Sequence, residues 1–266
     1  FITYSTPLRI ENTYVMISKI LYKEGVHTFL EPYEGPTSAR LTIGMKDVRG
    51  SDILESVFSL LHRYGFEVTR TFLSHFEGMY PEPMAVITLV ITKHDAKPID
   101  LRSVDMLKAI KAIRTLGWVD NDEYAQFAQA PHLFSVNATN FIRGVAAWVH
   151  ILLSKDNAYY FSEHKILTTF LHNPNVTMEI IELFRLRFSP LREKERKNDG
   201  YDKAQKNLFK TVEKLIDQVE RKIFQEALNF CNHVLMTNYF FPTKTGLIFR
   251  MDPEVLDAKH YPHKPF

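Results

Sequence analysis

Met84-Ala85-Val86-Ile87-Thr88-Leu89-Val90-Ile91-Thr92 is the most apolar strand-like run in the chain, and it constrains what can surround it. A near-continuous run of β-branched and aliphatic residues reads as a central strand with both faces covered. Its neighbours fit that role. Ala39-Arg40-Leu41-Thr42-Ile43-Gly44-Met45 alternates with period two, as a half-buried strand does. Gly50-Ser51-Asp52 offers a helix start, and Ile53, Val57, Leu60 and Leu61 continue it as an apolar stripe. Gly65 stands where a left-handed cap would end that helix. Phe66-Glu67-Val68-Thr69-Arg70-Thr71-Phe72-Leu73 is a further strand, and Gly78 to Pro83 is a turn. Strand, helix, strand, strand is most of a ferredoxin-like βαββαβ unit. A fourth strand is expected from upstream of residue 38, through Tyr14-Val15-Met16-Ile17.

After Pro98 the pattern turns helical. Leu101, Val104, Leu107, Ala109, Ile110 and Ile113 give one helix, and Phe141, Val145, Trp148 and Leu152 a second. Ser162 caps a third, with Ile166 and Phe170 inside it. Asn173-Pro174 starts a fourth, which Ser189-Pro190 ends. Leu208, Val212, Leu215, Val219, Ile223, Ala227, Phe230 and Val234 then keep a three-and-four spacing. That spacing predicts one long helix from Asp202 to Leu235, about 50 Å at 1.5 Å per residue. Beyond it, Thr245 to Met251 alternates like a strand, and Asp252-Pro253 and Tyr261-Pro262-His263-Lys264-Pro265 are turn chemistry. Met236 to Phe266 therefore reads as the opening of a domain that then stops. The chain also starts at Phe1, so it is expected to be a segment of a larger protein.

Composition narrows the function classes. The chain of 266 residues has 33 basic and 31 acidic groups, for a formal net charge of +2, too balanced to imply nucleic acid or an anionic membrane as partner. Its single cysteine, Cys231, excludes an internal disulfide and a cysteine-rich zinc site, and suits a reducing, intracellular compartment. No apolar run approaches the roughly 20 residues a membrane span needs.

The C-terminal segment carries a resemblance. Thr237-Asn238-Tyr239-Phe240-Phe241-Pro242-Thr243-Lys244-Thr245-Gly246-Leu247-Ile248-Phe249-Arg250-Met251-Asp252-Pro253 resembles the stretch that leads into the catalytic domain of the large NAD-specific glutamate dehydrogenases. Tyr261-Pro262 and Pro265-Phe266 are similar to the next element of that family. Upstream, Glu182-Leu183-Phe184-Arg185-Leu186-Arg187-Phe188-Ser189-Pro190 is similar to a family helix end, and Trp118-Val119-Asp120-Asn121-Asp122-Glu123 to its tryptophan-then-acidic element. The region from Leu30 to Ile91 looks like the family's ACT-like regulatory segment. The match is specific over 237–253 and looser toward the N-terminus.

The resemblance implies an α+β chain in three parts: an ACT-like αβ regulatory domain over 1–98, a helical domain over 99–235, and the start of a catalytic domain over 236–266. It implies that the parent oxidises L-glutamate to 2-oxoglutarate and ammonium, with hydride passing to NAD. The family's catalytic lysines and dinucleotide fold lie downstream of Phe266, and the ten glycines here form no G-x-G-x-x-G. No catalytic or cofactor-binding residue is therefore assigned, and NAD is expected outside this segment. The implied partners are the parent's own catalytic domain, further subunits of a homo-oligomer and a small amino-acid effector, in a cytoplasmic or mitochondrial setting. The alternative is a stand-alone module that senses an amino acid or docks a protein, with no enzyme attached.

Several local patterns invite sharper readings. Gly50, Ser51 and Asp52 are the candidate effector site, because free amides at a helix start favour a carboxylate; an ordinary N-cap is the plainer reading. Lys244 is a candidate carboxylate contact in the substrate domain, against a strand that merely frames a sheet. Ser162-Glu163-His164-Lys165 and Lys244-Thr245-Gly246 imitate two motifs of penicillin-binding enzymes, but the Ser-x-Asn element between them is missing. Eleven histidines suggest metal, yet His260 with His263 and His164 with His172 lack a carboxylate at ligand spacing. Arg185 to Lys222 holds 12 basic and 7 acidic residues, interleaved as on a solvated face. Cys231, beside Phe230 on an apolar helix, reads as a buried and inert thiol.

Overall fold

The computed structural model describes residues 6–23, 25–46, 50–77, 82–116, 134–241, 244 and 246–256, with side chains excluded at 50–52. The chain divides into two compact units, Phe1–Asp122 and Glu123–Phe266.

In the first unit, α1 (Pro7–Tyr22) begins where the Thr6 side chain accepts from the Arg9 amide and Pro7 takes the first turn. Next come β1 (His27–Pro32), β2 (Ser38–Lys46), α2 (Gly50–Arg63), β3 (Phe66–Phe76), β4 (Met84–Lys93) and α3 (Val104–Ile113). The four strands form an antiparallel sheet in the order β1-β2-β4-β3. β4 is therefore central, as its composition requires. Gly65, at φ +82°, ends α2 in the left-handed conformation, its amide bonded to the His62 carbonyl.

The fourth strand is not the expected one. Tyr14 to Ile17 lies inside α1, where Thr13, Met16 and Ile20 are buried at helical spacing. The strand comes instead from His27–Pro32, joined to β2 by a turn in which Glu34 and Gly35 both have positive φ. The sheet has the neighbour order of a βαββαβ unit whose last strand has moved to the front of the chain.

Both faces of β4 are covered. The register Gly44↔Val86 and Lys46↔Met84 puts these residues on one face, where Met16 and Ile20 of α1 pack against Met84 and Val86. Gly44 is needed there. A β-carbon would meet Ile20 Cδ1 at 2.7 Å and the Met16 side chain closer still. The other face, through Leu41, Ile43, Ile87 and Leu89, is fully buried. α2 and α3 pack together, and Arg114 just beyond α3 donates to Thr28 of β1 (2.8 Å), opposite Ile43 on that face.

The second unit contains α4 (Val136–Asn157), α5 (Glu163–His172), α6 (Pro174–Phe188), a 3₁₀ turn (Pro190–Arg192), α7 (Glu193–Lys197), α8 (Gly200–Glu213) and α9 (Gln218–His233), then β5 (Val234–Thr237), β6 (Phe249–Met251) and a 3₁₀ turn (Pro253–Val255). Ser135 and Ser162 cap α4 and α5 through their hydroxyls, and Ser189 follows α6 as expected. One hydrophobic core joins α4, α5, α6, α8 and α9, with Phe141, Phe170, Phe184, Phe224 and Phe230 buried in it.

Two expectations are corrected here. The single helix from Asp202 to Leu235 is two helices. α8 ends at Glu213, and Asp217 restarts the chain by accepting from the Val219 and Glu220 amides at 2.7 and 3.0 Å. The apolar stripe continues across the break because α8 and α9 fold back on one core. The strand expected over Thr245 to Met251 shortens to Phe249–Met251. Its partner is the upstream β5, whose first two residues had been read as the end of the long helix. The hairpin packs on the helical unit: Tyr239 is buried in its core, and Phe249 and Met251 pack against it.

Candidate functional site

The two stretches singled out by resemblance, 182–190 and 237–253, meet in space. Tyr239 packs edge-on against the rings of Phe184 (5.3 Å) and Phe141 (6.0 Å), and Phe249 packs on Phe230 (5.0 Å) and Phe184 (6.0 Å). Gly144 of α4 leaves room for the Phe249 ring, which would sit 3.0 Å from a β-carbon there. Asn238 sets the loop by donating to the Gly246 carbonyl and accepting from the Ile248 amide, both at 2.9 Å.

A polar relay runs outward from this junction. The Arg185 guanidinium stands beside the Tyr239 side chain and donates to the Glu182 carboxylate (2.6 Å); Glu182 also accepts from Arg192 (2.8 Å), which in turn grips Glu195. Burial pulls the Arg185 guanidinium down, but Tyr239 and Glu182 outweigh it and hold it above its ordinary value. Burial raises Tyr239 against the opposing pull of Arg185, so the phenol stays protonated. Lys244 lies in the loop between β5 and β6. Its ammonium donates to the Phe241 carbonyl (3.2 Å) and stands 5.7 Å from the Tyr239 ring. Gly50, Ser51 and Asp52 form the start of α2, but their side chains lie outside the described residues.

A concavity lies elsewhere in the second unit, among residues that sequence reasoning did not single out as a site. Arg196 caps the end of α6, giving one nitrogen to the carbonyls of Leu186, Arg187 and Ser189 (3.0, 2.6 and 3.3 Å). Arg187 donates to the Cys231 carbonyl, and Tyr201 donates to Asn232 (2.8 Å). Together with Asp202 and Gln205 these groups line a cavity of about 440 Å³. A second cavity, of about 310 Å³, shares Gln205 and Asn232 and continues along α8 past Lys206, Phe209, Lys210 and Leu228. Cations, amides, a phenol and one carboxylate form a recognition set rather than a nucleophile with its base. Arg185 to Lys222 carried a signal of this kind in its basic residues, but not the pairing of α8 with α9 that shapes the groove.

The other sharp readings resolve locally. Ser162 accepts from the Lys165 amide (3.3 Å), as a helix cap does. His164 and His172 lie at opposite ends of α5, and no cluster of metal-ligating side chains exists among the described residues. His260 and His263, and the acidic run Asp120 to Glu123, lie outside them. Cys231 is fully buried and its thiol is pushed up to about 12 by burial. No helix among the described residues is long and apolar enough to cross a membrane.

The chain is thus a mixed α+β protein with one antiparallel sheet unit and one helical unit. Over 115 residues, 43% of its length, it is 28% identical to glutamate dehydrogenase 2 of Dictyostelium discoideum, and the match spans 11% of that relative. No protein-family profile matches it.

Proposed function

We propose that this chain is a non-catalytic, regulatory and structural segment of a large NAD-dependent glutamate dehydrogenase. The observation that carries this reading is the junction of 182–190 with 237–253. The two stretches that resemble the family most specifically are bound into one core by Phe184, Tyr239 and Arg185. The partial relationship to a glutamate dehydrogenase supports the same reading. In this proposal the sheet unit is the ACT-like regulatory part, and Gly50, Ser51 and Asp52 are its candidate contact for an amino-acid effector. The helical unit positions the parent's own catalytic domain and neighbouring subunits, with Lys244 close to that boundary. NAD belongs to the parent's catalytic domain.

The test is made on the native full-length polypeptide. Glutamate-dependent reduction of NAD, lost when Tyr239→Ala loosens the junction, supports the proposal. A native protein of about this chain's size, inert toward glutamate and NAD, sinks it.

A further inference from the structure

We propose that the groove between α8 and α9 is a docking site for an acidic peptide segment carrying an apolar anchor residue. Two features of this surface coincide. The first is apolar: Phe209 is 51% exposed on the outer side of α8, and Leu228 of α9, 5% exposed, forms the floor beside it. The wall of this 310 Å³ cavity is almost wholly apolar and can take one large side chain. The second is charge. Lys203, Lys206, Lys210 and Lys214 recur at spacings of three and four along α8, all exposed. Among the described residues, none of these ammonium groups has an ion-pair or hydrogen-bond partner.

The rest of the rim has the same sign. Where the groove opens into its polar end, Arg187 and Arg196 stand in the wall, each with one nitrogen committed to backbone carbonyls. Asp202 lines the polar end, Glu213 accepts from Gln225 (2.7 Å), and Glu195, beside Arg196, is held by Arg192 (2.8 Å). Among the residues that line the two cavities, four are cations, Arg187, Arg196, Lys206 and Lys210, and one is a carboxylate, Asp202, so the lining is positive. A partner that fits places a Phe or Leu on Phe209 and Leu228 and sets carboxylates on Lys206 and Lys210. An apolar pocket between the cations favours a peptide over a polyanion of uniform charge, which would leave that pocket empty. The inference concerns this chain's own surface and stands whether or not its parent is a dehydrogenase.

The experiment is fluorescence anisotropy on the whole chain with a short fluorescein-labelled peptide in which Asp and Glu surround a central Phe-Leu pair. The expected result is saturable binding that weakens as salt rises. It should weaken at least tenfold in Lys206→Glu/Lys210→Glu, and to a similar degree when the probe's Phe-Leu pair becomes Ala-Ala. Phe209→Ala should bind both probes about equally, and Lys108→Glu, on the other unit, should bind like the unaltered chain. Circular dichroism and the melting midpoint verify that each variant is folded; if the double charge reversal is not, Lys206→Gln/Lys210→Gln replaces it. The proposal is overturned if the Ala-Ala probe binds as tightly as the original. It is also overturned if the lysine variants bind unchanged, or if a single-stranded oligonucleotide of equal charge binds as well.

Discussion

Phe184 and Tyr239 meet edge to face, with ring centroids 5.3 Å apart and planes at 80°. They come from distant parts of the sequence, and their contact fastens the β5–β6 hairpin to α6. Replacing Tyr239 with Ala removes the ring and the anchor for Arg185 together, and is expected to cost about 3–5 kcal/mol. Tyr239→Phe keeps the ring and should cost only about 1 kcal/mol, the worth of one polar contact with Arg185. Urea unfolding followed by helical circular dichroism separates the two. Equal losses would mean that the hydroxyl, not the packing, secures the hairpin.

Gly44 faces Met16 and Ile20 of α1 with no room for a side chain. Gly44→Ala is expected to destabilise the sheet unit by about 1–3 kcal/mol through overpacking. Shortening the neighbour should relieve it, so Gly44→Ala with Met16→Ala should be more stable than the sum of the two single changes predicts, by about 0.5 kcal/mol or more. Strict additivity in a thermal double-mutant cycle would refute the close approach.

His94 should titrate high. Its Nδ1 lies 2.7 Å from Glu67, and this hydrogen bond is the main reason its pKa is raised; the His62 carbonyl, 3.3 Å from Nε2, adds to it, while desolvation opposes. A histidine raised in the folded state contributes stability fully below its unfolded value, about 6.5, and loses that contribution as pH rises through the folded value. The pair is exposed and screened, so its effect on stability is small. Proton NMR of the imidazole should show the His94 midpoint falling in Glu67→Gln. An unmoved midpoint would deny the pairing.

Cys231 should be silent in the folded protein. Burial pushes its thiol up to about 12, so almost no thiolate exists near neutral pH. Being an acid raised by folding, it contributes stability that begins to fall once pH exceeds the ordinary thiol value. Reaction with an aromatic disulfide reagent should require opening of the helical core and accelerate with urea as unfolding does. Rapid labelling of native protein at pH 8 would contradict the burial.

Legibility in the sequence followed the strength of local signals. The covered strand Met84–Lys93, the cap at Ser162 and the Asn173-Pro174 helix start all announce themselves within a few residues. Tyr14 to Ile17 misled because four β-formers in a row look like a strand. Thr13, Met16 and Ile20 are nonetheless spaced as a helix, and Thr6-Pro7 marks its start. The break before Asp217 was hidden because the apolar stripe keeps its phase across it, although Asp217 followed by Glu220 is an N-cap pattern. The junction at Tyr239 and the groove along α8 depend on which helices fold against each other. Resemblance marked the first of these places, and only the basic residues of Arg185 to Lys222 marked the second.

Because β1 precedes β2, all four strands of the sheet are synthesised before Lys93 leaves the ribosome, and none waits for the helical unit. The same order makes the sheet sensitive to loss from its front. Loss of β1 after cleavage between Pro32 and Ser38 would turn Ser38–Lys46 into a bare edge with Ala39, Leu41 and Ile43 beside it, a template on which other chains can pair. His27–Pro32, short and closed by a proline, thus acts as a selvedge that keeps the woven part of the chain from catching on its neighbours.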